Sequence, residues 1–348
     1  MAAYKKLHPH FKLNGKTFTE EELCEQAIDL IRDGEAYEKD LGNLILQWFD
    51  DNDFVELTTS GTTGVPKKVK LSKEAMRHSA LATGEFFNLK SGDSALLCLP
   101  TQYIAGKMMF VRAAVLGLDL DYVNPCKEPL KNTEKIYDFV AMVPLQVQHS
   151  ITQIEQCKIL IVGGAKLSAS VKDLLSGMLV DVYETYGMTE TITHIAAKKI
   201  DDKYFTVLPH ANISTDERGC LIIEAPLVSN GLVVTNDLVE MINDIQFKWI
   251  GRVDNLINSG GIKLIPEQIE EKLSEYIPYR FFVMGVEDDE LGQKLVLVIE
   301  NSPYTLVPEA LNALERFEKP KEIFFVEHFK ETPTGKILRK DTLETVSN

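Results

Sequence analysis

The sequence lacks the long apolar runs of a membrane protein and the positive charge of a nucleic-acid-binding protein. No stretch approaches the ~20 apolar residues that a membrane span requires, and no apolar signal region opens the chain. The 348 residues include 52 acidic and 37 basic ones, which leaves a formal net charge of −15. Binding to nucleic acid or to an anionic membrane needs a net or clustered positive field. We therefore expect no nucleic-acid partner and no stable membrane insertion.

Paired cysteines and the common hydrolase motifs are also missing. The five cysteines include no CxxC pair and are odd in number, which is typical of reduced thiols and a cytoplasmic location. Neither a G-x-S-x-G elbow nor an HExxH motif is present. The composition, 45% hydrophobic and 26% charged, is ordinary for a globular protein. These absences leave an acidic globular protein of enzyme size, without the serine-hydrolase or zinc-protease motif.

The pattern up to Gly187 predicts helices around a parallel sheet. A capping box formed by Thr19 and Glu22 starts one predicted helix, and Leu41, Leu44, Ile45 and Trp48 mark a second. Short apolar runs then alternate with helical stretches such as 107–116 and 168–178: 95–99, 118–123, 139–143, 158–162 and 180–184. Such runs are typical of parallel strands covered on both faces. Ligands of such sheets bind beyond the carboxyl ends of the strands.

The second half predicts more strands and a separate terminal domain. Strands are expected at 204–208, 220–224, 231–235 and 239–243, which would form a β-rich subdomain. A helix starting at Pro266 and a hairpin of 281–286 with 294–299 follow. We predict an α/β protein with a large N-terminal domain, 1–253, and a small mobile α+β domain, 254–348. The large domain would hold a mainly parallel sheet and a β-rich subdomain at about 194–250.

One segment consists of the residue types that bind phosphate. After the predicted strand at 54–57, seven successive positions are only Thr, Ser or Gly, and lysines follow: Thr58, Thr59, Ser60, Gly61, Thr62, Thr63, Gly64, Lys67, Lys68. Such a stretch cannot pack in a core, but its hydroxyl and backbone N–H groups can bind an anion, and lysine adds a point charge. The spacing does not fit the Walker A pattern. We expect a polyphosphate pocket, with Lys70 and Lys73 adding positive charge; a plain Thr/Gly hairpin is the alternative.

The stretch from Thr59 to Lys67 resembles the phosphate-loop signature of the acyl-adenylate-forming (AMP-binding) superfamily. Further segments resemble motifs of that superfamily in the same order: Gly163-Gly164-Ala165, Tyr186-Gly187-Met188-Thr189-Glu190-Thr191, Asn236-Asp237-Leu238, Gly251-Arg252-Val253-Asp254 and Pro333-Thr334-Gly335-Lys336. The resemblance covers about 55–340. Asn236 stands where the family usually has Gly, and the segment before the phosphate loop is shorter than usual.

The resemblance implies an enzyme that uses ATP, Mg²⁺ and CoA. It assigns Gly163, Gly164, Ala165, Tyr186, Gly187 and Met188 to the adenine side of a nucleotide site, and Asp237 and Arg252 to the ribose. Thr189 would donate to a phosphate oxygen, and Glu190 would supply a hard carboxylate to Mg²⁺. Asp254 resembles the hinge residue about which the C-terminal domain rotates, and Lys336 resembles the catalytic lysine. Without the resemblance, Asp237 also fits a turn and Lys336 a surface charge.

The acid substrate is predicted from two further segments. The stretches 100–114 and 188–196 resemble the short o-succinylbenzoate–CoA ligases of menaquinone biosynthesis. Tyr103 would offer a flat wall to an aromatic acid, His194 would line the pocket, and Lys107 or Arg112 would meet a second carboxylate. On an amphipathic helix, however, some of these cations would face solvent or phosphate. Alternatives are another aryl- or acyl-CoA synthetase, an adenylating enzyme that loads a carrier protein, and a non-catalytic AMP-binding sensor.

Overall fold

The computed structural model describes residues 6–59, 67–331 and 337–345. The elements of the first half are β1 (Lys12–Leu13), β2 (Lys16–Thr17), α1 (Glu20–Asp33), α2 (Ala36–Phe49), β3 (Phe54–Thr59), β4 (Lys67–Ser72), α3 (Lys73–Phe86), β5 (Ser94–Leu97), α4 (Ile104–Leu116), β6 (Asp119–Tyr122), β7 (Tyr137–Met142), α5 (Pro144–His149), β8 (Cys157–Val162), α6 (Ala169–Leu175), β9 (Asp181–Gly187), β10 (His194–Lys199) and β11 (Phe205–Val207). The remainder comprises β12 (Asn212–Thr215), β13 (Cys220–Glu224), β14 (Leu232–Asn243), β15 (Gln246–Arg252), β16 (Ile257–Ser259), β17 (Ile262–Leu264), α7 (Pro266–Leu273), β18 (Phe281–Asp288), β19 (Gly292–Glu300), α8 (Pro308–Asn312), β20 (Glu322–Val326) and α9 (Arg339–Glu344).

The chain forms two compact units. Unit 1 contains 1–167, 174–213 and 223–233, and unit 2 contains 168–173, 214–222 and 234–348. The chain therefore passes between the units several times within the predicted β-rich subdomain. The predicted boundary at residues 253 and 254 stays a prediction.

A mainly parallel sheet forms the centre of unit 1. Its strand order is β11-β10-β9-β8-β7-β5-β6-β1-β2. β9, β8, β7, β5 and β6 are all parallel to their neighbours in this series, whereas β10 is antiparallel to β9. The apolar runs that predicted parallel strands are thus the central strands of the sheet, and the α/β fold class is confirmed.

The first two helices of unit 1 have the predicted positions. Thr19 caps α1, since its side chain accepts from the backbone N–H of Glu22 and the Glu22 carboxylate accepts from the Thr19 N–H. Leu23 of α1 and Trp48 of α2 are fully buried in the same apolar cluster. Burial of a large apolar side chain contributes roughly 1.5–3 kcal/mol to stability. The apolar face of each helix is therefore held against the core by this packing.

Unit 2 contains a β-meander and a separate α+β part. In the meander, β14 pairs antiparallel with β15 over Asp237↔Arg252 to Asn243↔Gln246. The two strands predicted at 231–235 and 239–243 are one continuous strand, and that prediction is wrong. Asn236 and Asp237 are poor strand formers, but both lie within β14, and the pairing of Asp237 with Arg252 of β15 keeps the chain extended there.

The α+β part of unit 2 is a four-stranded sheet with one additional strand. The order is β17-β16-β19-β18, and β20 pairs in parallel with β19. β18 and β19 form the predicted antiparallel hairpin, from Phe281↔Ile299 to Asp288↔Gly292. The helix α7 begins at Pro266, as predicted, and buries Ile269 and Leu273 against this sheet.

No helix among the described residues is both long enough and apolar enough to span a membrane.

Candidate active site

A glycine loop follows β8 at the carboxyl edge of the parallel sheet. The Gly163 N–H donates to the Met142 carbonyl at 3.2 Å, and a Cβ on Gly163 would lie 3.0 Å from the Thr185 hydroxyl. The next residue, Gly164, has φ +87°, a conformation that other residues rarely adopt. The loop therefore lies close against β7 and β9, at the edge where nucleotides bind to such sheets.

The loop is also attached to β9 through a buried carboxylate. The Leu167 N–H donates to Glu184 Oε1 at 3.0 Å, and Glu184 Oε2 lies 2.9 Å from Lys198 Nζ. Both charged side chains are largely removed from solvent. Glu184, a residue of β9, accepts a hydrogen bond from the backbone that follows the glycine loop and forms a charge-assisted contact with Lys198 of β10. These contacts attach the loop to the sheet at the ends of β8 and β9.

The predicted motif from Tyr186 to Thr191 begins in the last two residues of β9. A Cβ on Gly187 would lie only 2.3 Å from the Thr193 carbonyl, because Gly187 pairs directly with His194 of β10. The following short 3₁₀-helix, Thr189–Thr191, is closed by Thr191, whose hydroxyl accepts from the Met188 N–H at 3.2 Å. This turn leaves Glu190 exposed and Thr189 half-buried.

A strained residue ends this turn. Ile192 has φ +64° and ψ −59°, although a β-branched residue is normally excluded from positive φ. Its side chain is buried in the core of unit 1. Such strain costs on the order of 1–3 kcal/mol and clusters at functional sites, and here it directs the chain from the motif into His194.

A buried cation lies beside His194. Arg112 of α4 is 1% exposed. Its neighbours are Thr83 Oγ1 at 3.3 Å, Thr193 Oγ1 at 3.5 Å, His194 Nδ1 at 3.4 Å and the Met109 sulfur at 3.7 Å. Within the described ranges, no carboxylate forms an ion pair with this guanidinium. Burial lowers the pKa of Arg112 to about 9, so the group remains charged at neutral pH.

The imidazole of His194 is neutral. Burial, followed by the nearby Arg112 cation, lowers the pKa of His194 well below its ordinary 6.5. Because Arg112 can only donate, Nδ1 of His194 accepts, and Nε2 carries the proton toward Thr83 Oγ1 at 3.2 Å. The Thr83 hydroxyl in turn donates to the Ser79 carbonyl at 2.9 Å. The cluster of Arg112, His194, Thr83 and Thr193 is called the guanidinium cluster below.

The other predicted acid-pocket residues lie at the start of α4. Tyr103 is the half-buried N-cap residue, and Lys107 is 6% exposed. Burial lowers the pKa of Lys107, against the opposing effect of Asp40. The expectation that some cations of this helix face solvent is wrong for both Lys107 and Arg112. The helix is apolar all round, with Met108, Met109, Phe110 and Val111 fully buried, so it has no solvent face for them.

A cleft opens beside His194. With the open solvent at its mouth included, its space is ≈ 350 Å³. Thr191 and His194 contribute polar atoms, and the walls are mainly apolar: Ala82, Ile195, Leu208, Ala225, Leu227 and Val228. His194 lines this cleft, whereas its neighbour Arg112 does not.

The predicted ribose and hinge residues lie together in unit 2. Asp237 is 7% exposed and accepts from the Trp249 indole N–H at 3.1 Å. Arg252 is its cross-strand partner, with Nη1 4.0 Å from Asp237 Oδ1. The other end of the Arg252 guanidinium pairs with Asp254 at 2.7 Å. One carboxylate and one guanidinium are therefore fixed side by side.

Asp254 is held by a second contact. The Asn236 amide donates to Asp254 Oδ1 at 3.0 Å, and Arg218 donates to Asn236 Oδ1 at 3.0 Å. Hydrogen bonds from Arg252, and more weakly from Asn236, lower the pKa of Asp254. Asn236, which departs from the family motif, thus stabilises the ionised form of the predicted hinge residue.

Several predicted residues lie outside the described residues. These are Ser60, Gly61, Thr62, Thr63 and Gly64 of the phosphate segment and the predicted catalytic Lys336. The backbone on either side of the phosphate segment is antiparallel, with Thr59 opposite Lys67 in the β3–β4 pair. Lys73, expected to add charge to a phosphate pocket, is instead fully buried and pairs with Asp50 at 2.7 Å. That expectation is wrong, because Lys73 begins α3 beneath the strand pair.

Sequence reasoning missed Thr83, Thr193 and Trp249. Thr83 is in the middle of α3, where a threonine gives no sequence signal, and its contact with His194 spans 111 positions. Trp249 is one of only two tryptophans in the chain. Trp249 pairs with Val239, and its hydrogen-bond partner Asp237 lies two residues away on β14, so no local sequence signal indicates the contact.

Comparison with known proteins identifies the family of this chain. Residues 25–214 match the family model described as AMP-binding enzyme, which is more than half of the chain. The chain belongs to the AMP-binding enzyme family. An acyl-CoA synthetase (AMP-forming)/AMP-acid ligase II-like protein from Dyadobacter fermentans is 36% identical, with 92% of this chain and 97% of that chain covered and a TM-score of 0.63.

Two further AMP-binding relatives are more distant. A 2-succinylbenzoate–CoA ligase of Geobacillus sp. is 25% identical over 347 residues, covering 86% of this chain and 70% of that protein. The o-succinylbenzoate CoA synthetase of Bacillus subtilis, solved in complex with its acyl-adenylate intermediate, has a TM-score of 0.71 at 19% identity, with 82% and 68% covered. At that identity the second likeness concerns the fold alone.

Proposed function

We propose that this AMP-binding enzyme is an acid–CoA ligase whose acid is o-succinylbenzoate. In the first step, a carboxylate oxygen of the acid attacks the α-phosphorus of ATP, and pyrophosphate leaves with the electrons of the broken P–O bond. In the second step, the CoA thiolate attacks the acyl carbon and AMP leaves. The name of the Geobacillus relative supports this choice.

The single observation that carries the substrate assignment is the guanidinium cluster. The described neighbours of the buried Arg112 guanidinium are all neutral, so its positive charge can still pair with an anion. An Arg–carboxylate pair forms strong bidentate hydrogen bonds. o-Succinylbenzoate has an aromatic ring and two carboxylates, so one remains when the other is activated. In this proposal the ring would lie in the apolar cleft beside His194, and the second carboxylate would pair with Arg112, which contacts His194 but does not itself line the cleft.

We assign the adenine, the ribose and the polyphosphate of ATP to three different sets of residues. The backbone of Gly163, Gly164 and Ala165 would approach adenine closely, and Tyr186 would stack on it. Asp237 would accept from the ribose hydroxyls, with Arg252 as a donor. The threonines and Lys67 of the phosphate segment would bind the polyphosphate.

Glu190 fits a magnesium ion that accompanies ATP. Mg²⁺ is usually held by one or two carboxylates together with substrate phosphates and water. Glu190 is exposed at the turn after β9, and no group of three or more potential metal ligands occurs in the described part of the chain. One carboxylate therefore suits a cation shared with phosphates; when bound, Mg²⁺ neutralises charge on the phosphate oxygens.

The chemistry requires positioning and charge stabilisation rather than a protein nucleophile. Thr189 would donate to an α-phosphate oxygen, and Lys336 would neutralise charge between the carboxylate and the α-phosphate. The strained turn at Ile192 holds Thr189 and Glu190 in a fixed direction. We propose that unit 2 carries Lys336 to and from the nucleotide by rotation at Asp254, and that the enzyme is cytoplasmic.

The test is acid-dependent AMP production by the purified protein with ATP and Mg²⁺, with and without CoA. We expect turnover with o-succinylbenzoate and CoA, and much weaker turnover with benzoate, a fatty acid or malonate. Preference for a monocarboxylic acid would contradict the substrate assignment. Adenylation without use of CoA would favour a carrier-loading enzyme, and ATP binding without pyrophosphate release would identify a sensor.

A further inference from the structure

A buried threonine lies at the centre of the guanidinium cluster. Thr83 is fully buried, and its hydroxyl has three described partners. The hydroxyl donates to the Ser79 carbonyl at 2.9 Å, and it accepts from Arg112 Nε at 3.3 Å and from His194 Nε2 at 3.2 Å. Because a hydroxyl has one donor and two acceptor positions, all the hydrogen-bonding capacity of this oxygen is used.

The helices α3 and α4 pack against each other next to this threonine. A Cβ on Gly84 would lie 2.7 Å from Leu116 Cδ2, so the leucine side chain of α4 fills the space beside α3. Arg112 lies one helical turn before Leu116. The Thr83 side chain is short and β-branched, and it has few rotamers in a helix. Its contact with Arg112 is therefore fixed by the packing of two helices.

The other contacts of the guanidinium lie on the same side as Thr83. Nη2 donates to Thr193 Oγ1 at 3.5 Å and to His194 Nδ1 at 3.4 Å. In the described part of the chain, the hydrogen-bond contact of Nη1 is the Met109 sulfur at 3.7 Å, which is a weak acceptor. The protein thus uses Nε and Nη2 of Arg112 and leaves Nη1 without a strong acceptor.

Helix stability does not explain a threonine at this position. Threonine is a weaker helix former than alanine or leucine, and a hydroxyl that donates back to the carbonyl four residues earlier slightly destabilises a helix. Met76 and Ala80 of the same helix are apolar and fully buried. A valine would have the same shape as Thr83 but would leave donors of Arg112 and His194 without an acceptor. The hydroxyl therefore serves the cation and the imidazole rather than the helix.

We infer that Thr83 is a positioning residue that orients the Arg112 guanidinium and the His194 ring toward the second carboxylate of the acid. This inference rests on the proposed function, in which Arg112 pairs with that carboxylate. The second carboxylate does not react, so it binds alike in the ground state and in the transition state. Loss of such an interaction raises KM and leaves kcat unchanged. Thr83 thus contributes to the preference for a dicarboxylic acid.

The kinetic test compares Thr83→Val, which keeps the shape and removes the hydroxyl, with Thr83→Ser, which keeps the hydroxyl. For Thr83→Val we expect KM for o-succinylbenzoate to rise about 10-fold, on the order of one lost hydrogen bond. The kcat, the KM for ATP and the activity on benzoate stay within about two-fold of wild type. Thr83→Ser restores most of the affinity for o-succinylbenzoate, although it loses a buried methyl group. A packing role predicts the opposite order, with Thr83→Ser the more harmful change.

A second measurement needs no substrate. NMR of the ¹⁵N-labelled protein reports which ring nitrogen of His194 carries the proton, and the loss of signals in His194→Gln assigns them among the seven histidines. In the wild-type protein we expect the Nε2–H tautomer, because Nε2 donates to Thr83. In Thr83→Val the two tautomers mix, and in Thr83→Ser the Nε2–H form returns.

Thr133→Val is the matched control. Thr133 lies before β7 in unit 1, and its hydroxyl accepts from the Lys135 N–H at 3.2 Å, so both the KM and the His194 tautomer stay as in wild type. The inference is overturned by an unchanged KM for o-succinylbenzoate in Thr83→Val, by an equal loss on both acids, or by an unchanged tautomer. If the wild-type protein forms no AMP with any acid, the proposed function fails, whereas the tautomer measurement still decides whether Thr83 orients the pair.

Discussion

In the proposed function, Arg112 is the side chain on which substrate choice depends. We expect Arg112→Met to lower kcat/KM for o-succinylbenzoate by about 10- to 100-fold, because a charge-assisted hydrogen bond contributes about 1.5–3 kcal/mol. Activity on benzoate, which has no second carboxylate, would be unchanged or raised. Steady-state AMP production with both acids measures this ratio. Arg32→Met, at an exposed arginine of α1, serves as the control, and an equal loss for both acids would argue that Arg112 is only structural.

His194 gives the protein a pH dependence of known sign. Its pKa is lower in the folded chain than in the unfolded one, so the unfolded state binds more protons below about pH 6.5. Stability is therefore complete above pH 6.5 and is lost as the pH falls toward the folded-state pKa, by at most about 1.4 kcal/mol per pH unit. Urea unfolding between pH 5 and 8 measures the slope. We expect His194→Gln to flatten it; an unchanged slope would assign the effect to other groups.

Burial of individual charges was the least predictable property of the site. Lys107 and Arg112 are five positions apart on a helix, and a half-exposed helix would place at least one of them in solvent. Both are buried, because α4 lies inside unit 1 and is packed on every side. Such packing depends on elements distant in sequence, including Thr83 of α3, and no local pattern encodes it. By contrast, Thr189, Glu190 and Asp237 lie in ordered motifs that mark them in the sequence, and their roles stay predictions.

At the scale of elements, the close pairing of β9 with β10 determines the conformation of the turn that connects them, residues 188–193. We expect Gly187→Ala to destabilise the protein by about 1–3 kcal/mol, because its Cβ would overlap the Thr193 carbonyl at 2.3 Å and His194 Cα at 2.4 Å. Both are backbone atoms that cannot move without shifting β10. Thermal or urea unfolding provides the measurement.

Gly163→Ala is the matched control for this prediction. Its Cβ would meet only the Thr185 hydroxyl, at 3.0 Å, so the close contact is with one side-chain atom, which donates to the Val162 carbonyl, and not with the backbone. We expect a smaller loss of stability than for Gly187→Ala. Equal losses for the two variants would mean that the close approach of β9 and β10 is not the cause.

Most elements of unit 1 were predictable because their patterns are local. Apolar runs such as 158–162 are typical of buried parallel strands, and Thr19 with Glu22 is a capping box that the structure contains. The error at β14 has a physical cause. Asn236 and Asp237 normally break a strand, yet Trp249 and Arg252 on β15 satisfy the Asp237 carboxylate, and this compensation is visible only once the strands are paired.

At the scale of the whole molecule, the chain order does not reveal the compact units. Residues 168–173 and 214–222 belong to unit 2 although unit 1 surrounds them in sequence. Which segments pack together depends on contacts between distant residues, so a boundary drawn at one position is only an approximation. The proposed reaction would nevertheless need residues that are far apart in the chain, from Thr59 to Lys336, to act on one nucleotide.

The two-step reaction predicts that one lysine matters in only one step. We expect Lys336→Ala to lower acid-dependent pyrophosphate release on the order of 10²–10³-fold, the typical cost of losing one preorganised charge donor. Thioester formation from synthetic o-succinylbenzoyl-AMP and CoA would largely survive, since the α-phosphate displacement is already complete. Lys340→Ala, four residues further along in α9, is the control and leaves both steps intact. Near-wild-type adenylation in Lys336→Ala would remove this lysine from the mechanism, whereas loss of both steps would show that it also supports the fold or the thioester site.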